Sequence, residues 1–112
     1  MKSGGGSTSF GMADKIRFHP SIPQELADSI CRYDDISPTL GNRLRAAFRT
    51  AFANIAENPQ LYSVLYDDIR IVRTKPFPYL VHYRITDNVP HVVAIFHSAA
   101  HPDWRQKITR NR

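Results

Sequence analysis

Apolar residues recur along this chain in three rhythms. Ile22, Leu26, Ala27 and Ile30 return at helical spacing, with Pro23 placed in a first turn that tolerates it. A longer stripe of the same period follows: Leu40, Leu44, Ala47, Phe48, Ala51, Phe52 and Ile55. Ser37-Pro38 opens that second helix as an N-cap followed by proline, and Asn58-Pro59 closes it. Alternation, the period of a half-buried strand, marks Lys15 to His19, Ile69 to Arg73 and Tyr79 to Ile85. The segment His91 to His97 is apolar at consecutive positions from Val92 to Phe96, the pattern of a central strand covered on both faces. Prolines at 76 and 78 force a connection between the second and third strands, and Thr86-Asp87-Asn88 supplies turn chemistry before the last. These rhythms predict the order β-α-α-β-β-β, an α+β domain with a helical hairpin packed on one face of a small, twisted, mainly antiparallel sheet.

The 112 residues, 42% hydrophobic, have room for one compact domain. Residues 1–14 are excluded from it, because their Gly/Ser-rich start has almost nothing to bury; they read as an added leader or a native disordered tail. The domain is assigned to residues 15–112, and Met12 is a candidate natural start.

Charge narrows the choice of partner. A formal net charge of +5 draws nucleic acid, an acidic protein or a membrane surface at long range. Cys31, the sole cysteine, permits no internal disulfide, and a Cys-based metal site would lack its other ligands. That usage fits a reducing compartment such as the cytoplasm, and beside Ile30 the thiol is expected to be buried and inert. No apolar run approaches the roughly twenty residues of a membrane helix, so no membrane partner is expected.

The chemistry-bearing residues gather in the strands. Within strands, parity places Arg70 with Val72 and places His82 and Arg84 with Leu80, so one sheet face is expected to gather Arg70, His82 and Arg84. His97, one strand over, joins them if the register permits, and it is the first candidate for a general acid or base, with His82 second. Metal-free RNA cleavage would need such a base, an acid for the leaving oxygen and cations for the phosphorane. Arg73, Lys75, Arg84, His101 and Arg105 are the candidate phosphate or target contacts. Pro102 opens a short basic tail that reads either as one or two further helical turns or, for Arg105, Lys107, Arg110 and Arg112, as a disordered cationic segment, with Trp104 packing it onto the sheet. Tyr79 and Tyr83 share a side with Val81 and Ile85 and read as core. His97 and His101 have i, i+4 spacing, but a strand before and Pro102 after them oppose a helical metal pair. Without a Gly-rich phosphate loop beyond the leader or a serine elbow, neither metal nor cofactor is expected.

Several short motifs stand in a telling order: Asn58-Pro59-x-x-Tyr62, then Asp68-Ile69-Arg70, then Phe77-Pro78-Tyr79 with Tyr83, then His97 before Pro102 and Trp104. In this the chain resembles the ParE/RelE superfamily of bacterial toxins over roughly Lys15 to Trp104. The resemblance implies the toxin of a type II toxin–antitoxin pair, neutralised by a cognate antitoxin. RelE-like members cut messenger RNA on the ribosome, whereas ParE-like members poison DNA gyrase. Where RelE-type nucleases carry arginine after the third-strand tyrosine, this chain has Leu80, and Ser98-Ala99-Ala100-His101 lacks the arginine of many relatives. Only Asp103 separates Pro102 from Trp104, where relatives usually have two residues. The departures favour growth inhibition by binding a target such as gyrase. A ribosome-dependent endoribonuclease using His97 or His82 with Arg70, Arg73 and Arg84 is the alternative, and a non-toxic interaction module is a third reading.

Overall fold

A computed structural model describes residues 15–112; the leader lies outside them. The elements run β1 (Arg17–Phe18), α1 (Ile22–Ile36), α2 (Pro38–Glu57), β2 (Val64–Tyr66), β3 (Ile69–Arg73), β4 (Tyr79–Thr86), β5 (Val89–His97) and α3 (Pro102–Arg110). The hairpin turns on one residue. Ser37 takes an extended conformation (φ −163°, ψ 144°), as a residue before proline favours, so α1 stops there. Its hydroxyl oxygen then accepts the Leu40 amide at 3.1 Å and starts α2. The expected β-α-α-β-β-β order holds, with two additions: the short β2 and the helix α3. The first strand is shorter than the alternation suggested, two residues in place of five.

The sheet order is β1-β5-β4-β3-β2, antiparallel except for the parallel β1–β5 pair. Asp87 and Asn88, both with positive φ (54° and 63°), form the two-residue turn joining β4 to β5, which asparagine and aspartate tolerate better than most residues. On one face, Val72, Tyr79, Val81, Tyr83, Val92 and Ile95 meet Leu44, Phe48, Phe52 and Ile55 of α2 in the main core. Phe18 packs edge-on against Phe52 with centroids 5.0 Å apart, and Tyr79 lies between Phe48 and Tyr33. The other face carries Ile69, Leu80, His82 and Ala94, all buried yet outside that core, and α3 closes it.

The basic C-terminus is therefore an ordered helix of nine residues, in line with the expected helical turn or two and against the disordered-tail alternative. Its chain is tied down by polar side chains at several points, so high charge did not prevent folding. Trp104 does not pack it down: the indole is 54% exposed. Cys31 likewise faces solvent, because the buried stripe of α1 runs through Ile22, Leu26, Ser29, Ile30 and Tyr33 and turns position 31 outward.

β1 pairs with β5 only at His91 and Val92, which leaves the outer edge of β5 open beyond that point. Two side chains close it. One Glu25 oxygen accepts the Ile95 amide at 2.9 Å, and the other pairs with Arg112 Nη1 at 2.6 Å. Arg112 Nη1 in turn donates to the Val93 carbonyl at 2.9 Å. An ion pair from α1 and the C-terminus thus stands where a neighbouring strand would.

Close approach of the two helices depends on Gly41. A Cβ there would lie 1.6 Å from Asp34 Oδ1 and 3.3 Å from the Asp34 Cα. Gly41→Val should therefore destabilise the domain by about 2 kcal/mol through overpacking, read as a lowered midpoint in urea unfolding with an unchanged slope.

Candidate functional site

The sheet separates residues that strand parity alone had grouped. Arg70 pairs with Tyr83 and Ile71 with His82, so Arg70 lies on the hairpin face while His82 and Arg84 lie on the α3 face. A shared face for Arg70, His82 and Arg84 is thereby overturned, because cross-strand register sets which parities coincide. His97 pairs with Tyr79 and shares the hairpin side with Arg70, yet it sits four residues along β4 from Arg70's partner and two strands over. That is about 13 Å along the strands and about 10 Å across them.

Arg70, Arg84, His97 and His101 are already engaged in structural contacts. Arg70 Nη1 donates to the Tyr62 carbonyl at 2.5 Å and reaches the Gln60 carbonyl at 3.4 Å, pinning the chain after α2. The Tyr83 hydroxyl donates to the Pro59 carbonyl in the same segment, and burial pushes that phenol up to about 12. Arg84 Nε contacts both Asp68 oxygens at 3.1 and 3.2 Å, while its Nη2 donates to the Thr109 carbonyl at 3.1 Å. His97, exposed at the end of β5, accepts the Ala99 amide on Nδ1 at 3.0 Å and stands edge-on to Tyr79. His101 accepts the Asp103 amide on Nδ1 at 3.1 Å and caps α3. Arg110 pairs with Asp67 at 2.8 Å, which holds that carboxyl below its ordinary range.

His82 is fully buried between Tyr66 and Phe96 beneath α3. Its Nδ1–H donates to the Leu80 carbonyl at 3.2 Å, which leaves Nε2 as the acceptor. Neither His82 Nε2 nor Arg105 Nε has a hydrogen-bond partner. Burial, reinforced by the Arg105 charge, lowers the imidazole to about 4. Leu80 is 4% exposed on the same covered face.

Arg73 and Lys75 do come together with other groups, at a groove of about 670 Å³ between α2 and the β3–β4 connection. Ala46, Ala47, Ala51, Val72 and Phe77 give it apolar walls, and Arg43 faces the two cations from α2. Arg43, Arg73 and Lys75 form no ion pair among the described residues, unlike Arg45, Arg84, Arg110 and Arg112. β2 pairs only with Ile69 and Arg70, so the outer edge of β3 is open along the groove. Sequence reasoning missed Arg43, since a solvated arginine on a helix carries no local signal of facing Arg73 across a groove.

Fold and site together define a small basic α+β protein that offers an apolar, cation-rimmed groove. Its candidate acid, base and phosphate-contact residues are dispersed over two sheet faces. The chain belongs to the ParE toxin family of type II toxin–antitoxin systems, whose model matches residues 16–102. It is a toxin of that class, and membership implies an antitoxin as partner. Toxin ParE2 proteins from two strains of Mycobacterium tuberculosis are each 28% identical to it over 93 residues, 82% of this chain and 89% of theirs. No helix among the described residues is long and apolar enough to cross a membrane.

The buried imidazole makes a pH prediction. An unfolded histidine titrates near 6.5 and His82 near 4, so the unfolded chain binds more protons between those values. This contribution to stability is complete above pH 6.5 and is lost as pH falls through 4, for a total of about 3 kcal/mol. In His82→Phe, the loss of unfolding free energy between pH 7 and pH 4, measured with urea, should shrink by about that amount.

Proposed function

We propose that this toxin inhibits growth in the cytoplasm by occupying a macromolecular target, with DNA gyrase the target, and does not cut RNA. The observation that carries this is the dispersal of the candidate groups: His82 is buried under α3, Arg70 is spent on the chain after α2, and His97 is far from both. General acid–base cleavage needs those groups within hydrogen-bond reach of one phosphate. The free cations of the α2–β3 groove support a second element of the proposal. An acidic, apolar segment of the antitoxin lies there, its carboxylates meeting Arg43, Arg73 and Lys75.

Inducible expression in bacteria, with DNA breaks and protein synthesis followed together, tests the mode of action. Breaks should appear while translation continues, and His97→Ala should remain toxic. Early loss of translation would instead identify the ribosome-dependent nuclease, and unaffected growth the non-toxic module. For the groove, Arg43→Glu with Arg73→Glu should weaken antitoxin binding by roughly tenfold or more in calorimetry, without changing the unfolding midpoint.

A further inference from the structure

The side chains of α3 itself bury little apolar surface, and the ties it makes are mostly polar. Thr109 is its one fully buried residue among those described; Trp104 is exposed and Ile108 half-buried. Its C-terminal end carries the ties: the Thr109 carbonyl to Arg84, the Thr109 hydroxyl to Tyr66 at 2.8 Å, and Arg110 to Asp67. Just past the helix, Arg112 joins Glu25 of α1 and the Val93 carbonyl. Under its middle the fit is poor, for His82 Nε2 and Arg105 Nε are shut away from water without partners. Each such atom favours states in which it regains solvent. The residues on the sheet face that α3 covers, Ile69, Leu80, His82 and Ala94, lie outside the core cluster that the hairpin builds on the other face.

From these features we infer that α3 is a detachable cover. It leaves the sheet as a unit about the connector from Ser98 to His101 while the hairpin and five strands stay folded, and it uncovers the face centred on His82. The Glu25–Arg112 pair is its latch. Whatever draws Glu25 away from the edge of β5 frees the C-terminal end of α3, so a ligand on α1 reaches the far side of the sheet. The inference does not depend on which target the toxin has.

Residue-resolved hydrogen exchange on the full chain at pH 7, in low concentrations of guanidinium, tests it. The α3 amides from Arg105 to Arg110 should exchange together, roughly 30-fold or more faster than the centre of β4, with little dependence on denaturant. Glu25→Gln keeps an acceptor for Ile95 but removes the charge, and should speed α3 exchange about tenfold further, with β4 rising by the same factor because full unfolding breaks the pair as well. His82→Phe removes one unpartnered atom and should slow it. Trp104, the single tryptophan, supplies a second readout, since its fluorescence anisotropy should fall in Glu25→Gln. Exchange of α3 at the rate and denaturant dependence of β4 would overturn the cover. A gradient that only frays backwards from Arg112 would do the same, and an α3 rate unmoved by Glu25→Gln would overturn the latch.

Discussion

The carboxylate of Glu25 is where the three parts of this domain meet. One oxygen satisfies a backbone amide of β5, and the other holds Arg112, which satisfies the carbonyl two residues earlier. An open strand edge is a template for aggregation, and a two-residue β1 cannot cover a nine-residue β5. The ion pair takes up what β1 leaves unpaired. Because both side chains are largely shielded from solvent, their attraction is screened less than that of a surface pair. Removing either would strand the other beside unpaired backbone groups. The same contact fixes the helical hairpin to the sheet and brings the end of α3 back to α1.

The residues that carry the family likeness are, in this structure, mostly architecture. Pro59 and Tyr62 offer carbonyls to Tyr83 and Arg70, Asp68 pairs with Arg84, and Phe77 and Tyr79 pack on Tyr33. Together they hold the chain after α2 against the sheet and set the angle of the β3–β4 connection. The motifs thus specify a scaffold, while the chemistry that would separate one toxin activity from another lies elsewhere. Leu80 illustrates this: a cation at that position would be buried beneath α3, beside an imidazole already kept neutral and an arginine already short of partners.

Legibility followed the length of the pattern. The α2 stripe repeats over about four turns and Ser37-Pro38 is a strong local signal, so the hairpin could be read directly. The positive-φ pair Asp87-Asn88 likewise announces its turn. β2 is three residues long, too short for alternation to register, and it exists because Asp67 turns the chain back onto β3. α3 has no apolar stripe, so its sequence left a helical turn or two and a disordered tail both open; the ties that order it run to residues far away in sequence, such as Asp67 and Glu25. Facing across strands was illegible for a related reason. Parity within a strand follows from alternation, but whether Arg70 opposes His82 or Tyr83 depends on a one-residue choice of register made by the core. The extra residue Val93, where the β4–β5 register shifts, changes parity again.

Glu25 and Arg112 act as one structural joint and not as an ordinary surface pair. A double-mutant cycle with Glu25→Gln and Arg112→Gln, read by equilibrium urea unfolding at pH 7, measures that joint directly. The expected coupling is about 1.5 kcal/mol or more, above the range of exposed ion pairs. A coupling below about 0.5 kcal/mol would contradict it.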